Sequence, residues 1–178
     1  MTKTYRAIAA ILMILIANAS AAEKKMGGIS LDRSSMTQME LPQTGDIPFL
    51  LLDFEYPQNE KPRVVHMDFN GDGNEDYFIE SWRSLCGTGG CLYALIDGNS
   101  KKRIGDFFGA PIFVLDQKIN GFPVIQSYSH MSRNSGNFNV YVFDGKEYQV
   151  VSSVYLIDES VKELFKSLDN FKQIKTIK

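Results

Sequence analysis

Several residue types that carry chemistry are scarce in this 178-residue chain: it has two cysteines, two histidines and one tryptophan. A zinc site needs four ligands, and neither His66 nor His130 lies near Cys86 and Cys91 in sequence, so zinc is not indicated. No Gly-x-Ser-x-Gly elbow and no His-Glu-x-x-His pattern occurs, which removes the usual signatures of α/β-hydrolases and zincins. An excess of positive charge is missing too. With 19 Lys+Arg against 21 Asp+Glu and a formal charge of −2, there is no basic field for nucleic acid. Beyond residue 22 no apolar run approaches the roughly 20 residues of a membrane helix. An apolar content of 44% and a charged content of 22% exclude a disordered chain, a collagen and a coiled coil. The length fits one domain.

The first 22 residues read as an export signal. Lys3 and Arg6 form a positive start, Ala7–Ala17 an apolar run, and Ala19-Ser20-Ala21-Ala22 a stretch of small residues suited to cleavage. Cleavage after about Ala22 places the mature protein in the periplasm. It also removes two positive charges, taking the formal charge from −2 to −4. Residues 23–46 are polar with scattered Met and read as an extended N-terminal arm.

Export gives the cysteines a meaning. Cys86 and Cys91 stand in Cys-Gly-Thr-Gly-Gly-Cys, and an even, close pair in an oxidising compartment reads as a disulfide. Three glycines between them permit a tight turn.

From residue 47 onward, short apolar stretches recur between Gly, Asn and Asp turns. Phe49–Tyr56 places Leu50, Leu52, Phe54 and Tyr56 on one strand face, and Arg63–Asp68 and Tyr77–Trp82 flank a Gly-rich loop. Leu92–Ile96, Ile112–Leu115, Val124–His130, Phe138–Phe143 and Tyr148–Val154 complete the series, with Asp97-Gly98, Asn120-Gly121 and Asp144-Gly145 as turns. The pattern predicts a mainly β fold over 47–178: an antiparallel β-meander of about seven or eight strands, as a sheet or partial barrel or propeller. Ser160 and Glu163 form a capping-box pattern, and Val161, Leu164, Phe165, Leu168 and Phe171 make one apolar stripe. One C-terminal amphipathic α-helix over 159–171 is expected to pack on the sheet.

One segment has the spacing of a metal loop. In Asp68-Phe69-Asn70-Gly71-Asp72-Gly73-Asn74-Glu75-Asp76, oxygen side chains fall at positions 1, 3, 5 and 9, with Gly at 6. A hard cation recruits alternate oxygens of a loop wound round it, and the Asn74 carbonyl can add another. Position 12 is Ile79 and both flanks look like strands, so an EF-hand is excluded. The loop resembles those of the FG-GAP/VCBS (integrin-α-like) β-propeller family, whose motif is Asp-x-[Asp/Asn]-x-Asp-Gly-x-x-Asp. The resemblance covers about nine residues and the flanking strands. It implies calcium on Asp68, Asn70, Asp72, Asn74 and Asp76; because the Glu of position 12 is missing, the expected Kd is about 10⁻⁴–10⁻³ M. The chain is also similar to small exported bacterial β-domains that combine such a loop with a Cys-Gly-x-Gly-Gly-Cys turn. The motif occurs once here, where propellers repeat it.

Little else suggests catalysis. His66 lies two residues from Asp68 on a strand, and His130 lies among Ser127, Ser129 and Ser132. Binding is the more natural use of the scaffold. Arg133, Asn134 and Asn137 sit in a polar loop, with Tyr128 just before it and Trp82 just before the disulfide turn. The expected function is a non-enzymatic envelope protein that binds a protein or glycan, as an inhibitor, immunity factor or accessory subunit. The alternative is a small envelope hydrolase using carboxylates or His130.

Overall fold

Alternating apolar and polar side chains, punctuated by Gly, Asn and Asp, commit most of the chain to strands. The computed structural model describes residues 27–168 and 172–173. In chain order the elements are β1 (Gly28–Leu31), β2 (Thr37–Gln38), α1 (Ile47–Asp53), β3 (Arg63–Met67), β4 (Asp76–Glu80), β5 (Cys91–Ile96), β6 (Arg103–Gly109), β7 (Ile112–Ile119), β8 (Phe122–Ser132), β9 (Ser135–Phe143), β10 (Tyr148–Ile157), α2 (Glu159–Leu168) and β11 (Lys172–Gln173).

The strands form two sheets. The first is the meander β2-β3-β4-β5-β6, antiparallel throughout. The second is the meander β7 to β10, with β1 antiparallel on the free side of β7 and the two-residue β11 parallel on β1. Asn120 and Gly121 both take positive φ, at 52° and 88°, the conformation a two-residue hairpin turn requires, and so join β7 to β8. The chain changes sheets at Gly109-Ala110-Pro111, where the Ala110 amide donates to the Tyr128 carbonyl at 2.8 Å. Gly109 has a φ of 144°, and a Cβ there would lie 2.6 Å from that carbonyl oxygen. The crossing therefore depends on a residue without a side chain.

The sheets pack face to face over the main core. Phe78 of β4 stacks on Tyr93 and on Phe107, each at 5.4 Å between centroids. Phe107 then meets Tyr141 at 5.0 Å and Tyr148 at 5.2 Å edge-on, so an aromatic chain runs from one sheet into the other. The outer faces are covered by the helices. Ile47, Leu50 and Phe54 cover Val64, Ile79, Ala94 and Ile96 of the first sheet. Leu164 packs on Phe113, Leu115 and Val124 of the second, and Phe165 meets Tyr128 at 5.2 Å. The order of layers is helix, sheet, sheet, helix.

Several expectations need correction. The strands β1 to β10 number ten rather than seven or eight, and the described strands form two sheets with no closed barrel. Residues 28–31 and 37–38 of the expected arm are strands, because Gly28–Leu31 pairs residue by residue with Leu115–Ile112. Phe49–Tyr56 is not a strand: Pro48 opens the helix α1, and burial at Ile47, Leu50 and Phe54 follows helical spacing. Strand β6 was not anticipated, since Gly105 and Gly109 break its apolar alternation. The C-terminal helix is present from Glu159 to Leu168. Its start places Ser160 inside the helix rather than at the cap. Phe171 and the leader 1–22 lie outside the described residues.

Phe78 is fully buried at the centre of the aromatic chain. Phe78→Ala should lower unfolding free energy by about 3–5 kcal/mol, read as a reduced urea midpoint at unchanged slope.

Candidate functional site

Residues 76, 78 and 80 of β4 share one face, and that face reads acid, aromatic, acid. Both acids are buried, Asp76 at 0% and Glu80 at 1% exposure. Each buried carboxylate requires compensation, and the local sequence around each end supplies it.

At one end, Asp76 accepts the Phe69 amide at 2.9 Å and the Gly98 amide at 2.7 Å. It thereby ties the loop 68–76 to the turn between β5 and β6. Burial pushes its carboxyl above the ordinary value, against the pull of the Gly98 and Phe69 amides; the charges of Asp97 and Asp72 add to the rise. The rest of the loop is held by its own side chains. Asp68 accepts the amides of Gly71, Asp72 and Gly73, Asn70 accepts that of Asp72, and Asp72 accepts that of Asn74.

This geometry fits the calcium set only in part. Asp68, Asn70 and Asp72 share one exposed loop, but Asp68 Oδ1 already accepts two amides and Asp72 Oδ1 accepts both nitrogens of Asn74, so among their carboxylate oxygens Asp68 Oδ2 and Asp72 Oδ2 keep a second lone pair. Asp76 instead spends both oxygens on backbone amides in the core. Among the described residues, no three His, Cys, Asp or Glu of this loop bring ligand atoms within 4.8 Å of one another. Glu80, Cys86 and Cys91 do so, but both sulfurs are joined to each other and offer no thiolate.

At the other end, Arg33 from the turn after β1 donates Nε and Nη2 to Glu80 Oε1 at 3.1 and 3.0 Å. The Tyr93 hydroxyl donates to Oε2 at 3.4 Å. Burial raises the Tyr93 hydroxyl well above its ordinary value, and the Glu80 charge adds to that. Around this pair opens a cavity of about 200 Å³, lined by Arg33, Tyr56, Arg63, Trp82 and Arg83 with Glu80 at its floor. The Tyr56 hydroxyl donates to the Glu80 carbonyl at 2.7 Å and accepts the Arg63 amide at 3.1 Å. Tyr56 also meets the Trp82 ring edge-on at 5.5 Å, and the Arg83 guanidinium lies 5.1 Å over that ring. Among the described residues, neither Arg63 nor Arg83 is in an ion pair.

The disulfide Cys86–Cys91 is formed beside this cavity, with Cα atoms 4.1 Å apart. The Gly87 and Gly90 backbones exchange hydrogen bonds at 2.8 and 3.1 Å, which closes the turn.

Of the residues singled out for partner binding, Trp82 alone reaches the cavity. Tyr128 cannot serve: it is fully buried beneath α2, pointing to the outer face while Ser127 and Ser129 point inward. Arg133 and Asn134 are exposed at the turn after β8, and Asn137 is half-buried on the inward face of β9. His66 pairs with Glu75 at 2.8 Å rather than with Asp68. His130 lies against the Tyr128 ring, on the opposite face from Ser127 and Ser129. The cavity itself was missed in sequence, because Arg33 and Glu80 are 47 residues apart and no local spacing links them.

Scans against family models, curated proteins and solved structures find no match. What the fold defines is a class: a two-sheet β protein with a disulfide turn and a basic, aromatic cavity at one end of the first sheet.

Asp76→Ala should leave two buried amides without acceptors, at about 1–3 kcal/mol each. Because the folded carboxyl titrates above 3.8, the folded state holds the proton more firmly than the unfolded chain. Stability should therefore fall as pH rises from about 4 through the raised folded value, then level off. Asp76→Asn should lose that slope, as measured by urea unfolding at a series of pH values.

Proposed function

We propose that the chain is an exported, periplasmic, non-enzymatic protein that binds a protein or glycan partner in the envelope. An inhibitor, an immunity factor and an accessory subunit all fit that description. The observation that carries the reading is the cavity at the end of β4, where Arg63 and Arg83, in no ion pair among the described residues, line the same space as Trp82 and Tyr56. Guanidinium and aromatic groups held on a rigid frame are the commonest anchors of recognition surfaces. The export signal and the Cys86–Cys91 bridge support the compartment. No helix among the described residues is long and apolar enough to cross a membrane. His130 faces away from Ser127 and Ser129 and meets the backbone carbonyl of Ser132 rather than its hydroxyl, and His66 pairs with Glu75, which weighs against the hydrolase alternative.

A calcium brace on Asp68, Asn70, Asp72 and the Asn74 carbonyl belongs to this proposal and rests on the loop spacing. Calcium at tenfold excess over Kd should add about 1.4 kcal/mol. The expected result is a higher melting temperature in calcium than in EDTA for the wild type, and equal values for Asp72→Ala.

The binding reading is tested by presenting the immobilised protein to envelope extract and identifying what is retained. Retention of a defined partner, lost in the Arg63→Ala/Arg83→Ala double variant, is expected. Turnover of peptidoglycan or a model ester by the purified protein would overturn the reading.

A further inference from the structure

Tyr56 lines two concavities at once. One is the arginine cavity. The other is a groove of about 650 Å³ between α1 and residues 57–62, with an apolar wall of Leu41, Pro48, Leu51, Leu52, Pro57 and Pro62 and a polar rim that includes Glu40, Glu60 and Lys61. Helix α1 commits Ile47 and Leu50 to the core but leaves Leu52 at 74% and Phe49 at 69% exposure. The folded domain gains nothing from these two side chains, and an apolar patch beside polar groups marks an interaction surface.

The electrostatics of the cavity are one-sided. Among the described residues Arg33 is matched by Glu80 and neither Arg63 nor Arg83 is in an ion pair, which leaves their two charges in excess. A guanidinium fork pairs best with a carboxylate, and more strongly where aromatic walls thin the water around it. The rim is fixed before any ligand arrives. Tyr56 is pinned between the Glu80 carbonyl and the Arg63 amide, and the Trp82 amide donates to the Phe54 carbonyl at 2.9 Å. A site built this way loses little freedom on binding.

We infer that this face captures an acidic peptide segment of a partner protein. Its Asp or Glu carboxylate lies between Arg63 and Arg83 beside Trp82, and a neighbouring apolar side chain fills the Leu/Pro groove past Tyr56. The inference rests on the reading of the chain as a binding protein and names the ligand of that site. A uronic-acid glycan offers the carboxylate but no side chain for the groove, so the apolar walls favour peptide.

Trp82 is the chain's single tryptophan, so its indole N–H resonance reports on the cavity alone. The experiment is a ¹H–¹⁵N titration of the protein with acetyl-Leu-Glu-Leu-amide, its Gln counterpart, and galacturonic acid. The Glu peptide should shift the indole signal saturably, and the Gln peptide should bind at least tenfold more weakly. Arg63→Ala and Arg83→Ala should each weaken the Glu peptide roughly thirtyfold, the equivalent of about 2 kcal/mol. Leu52→Ser should weaken the peptide and leave any response to galacturonic acid unchanged. An equal response to the Glu and Gln peptides overturns the inference, as does no response to any probe. A response to galacturonic acid alone overturns the peptide assignment. A partner retained from envelope extract in either case would leave the binding reading standing.

Discussion

Two carboxylates buried at opposite ends of β4 set conditions that the neighbouring elements have to meet. An ionised carboxyl taken out of water costs several kcal/mol unless donors replace the lost hydration. At Asp76 the donors are amides of the metal-like loop and of the turn after β5. At Glu80 they are a guanidinium from the turn after β1 and the Tyr93 hydroxyl. The two acids thus tie β4 to the loop before it, to β5 and the turn after it, and to the turn after β1, while Phe78 between them stacks on Phe107, which carries the aromatic contact into the second sheet. The stability of the frame and the shape of its ends come from the same strand.

Function follows from the difference between the two ends. Asp76 is satisfied entirely by backbone, so its end is closed, and the exposed donors there belong to a loop braced by its own amides. Glu80 is satisfied mainly by a side chain, Arg33, which remains half exposed at 52%. Arg83 over the Trp82 ring and Arg63 line the same cavity, and among the described residues neither has a carboxylate partner. One end therefore locks a loop, while the other keeps unspent charge facing solvent.

Much of the fold was legible locally. Asn120-Gly121 and Asp144-Gly145 marked real hairpins, and the Val161, Leu164 and Phe165 stripe marked a real packed helix. The failures have specific causes. Alternation and helical spacing coincide over a run as short as Phe49–Tyr56, and Pro48 decided in favour of helix. Gly105 interrupts the apolar alternation of β6, whereas a Cβ there would collide with the rings of Phe107 and Tyr148 at 2.8 Å; the strand needs glycine for close aromatic packing. Tyr128 looked like an anchor beside a polar loop, and the helix 30 residues later buries it.

The sequence by itself determined the elements whose signals are local: the turns, the hairpins, the amphipathic helix and the close cysteine pair. These depend on backbone preference and short loop closure, which neighbouring residues settle among themselves. Only the tertiary structure decided that residues 28–31 pair with β7, that Asp76 points into the core, and that Arg33 reaches Glu80. Each of those depends on burial, and whether a charge is buried depends on which distant segments arrive to cover it and to donate hydrogen bonds. The cavity of Arg63, Trp82 and Arg83 is a product of that assembly, because its cations are separated along the chain and converge only when β3 pairs with β4.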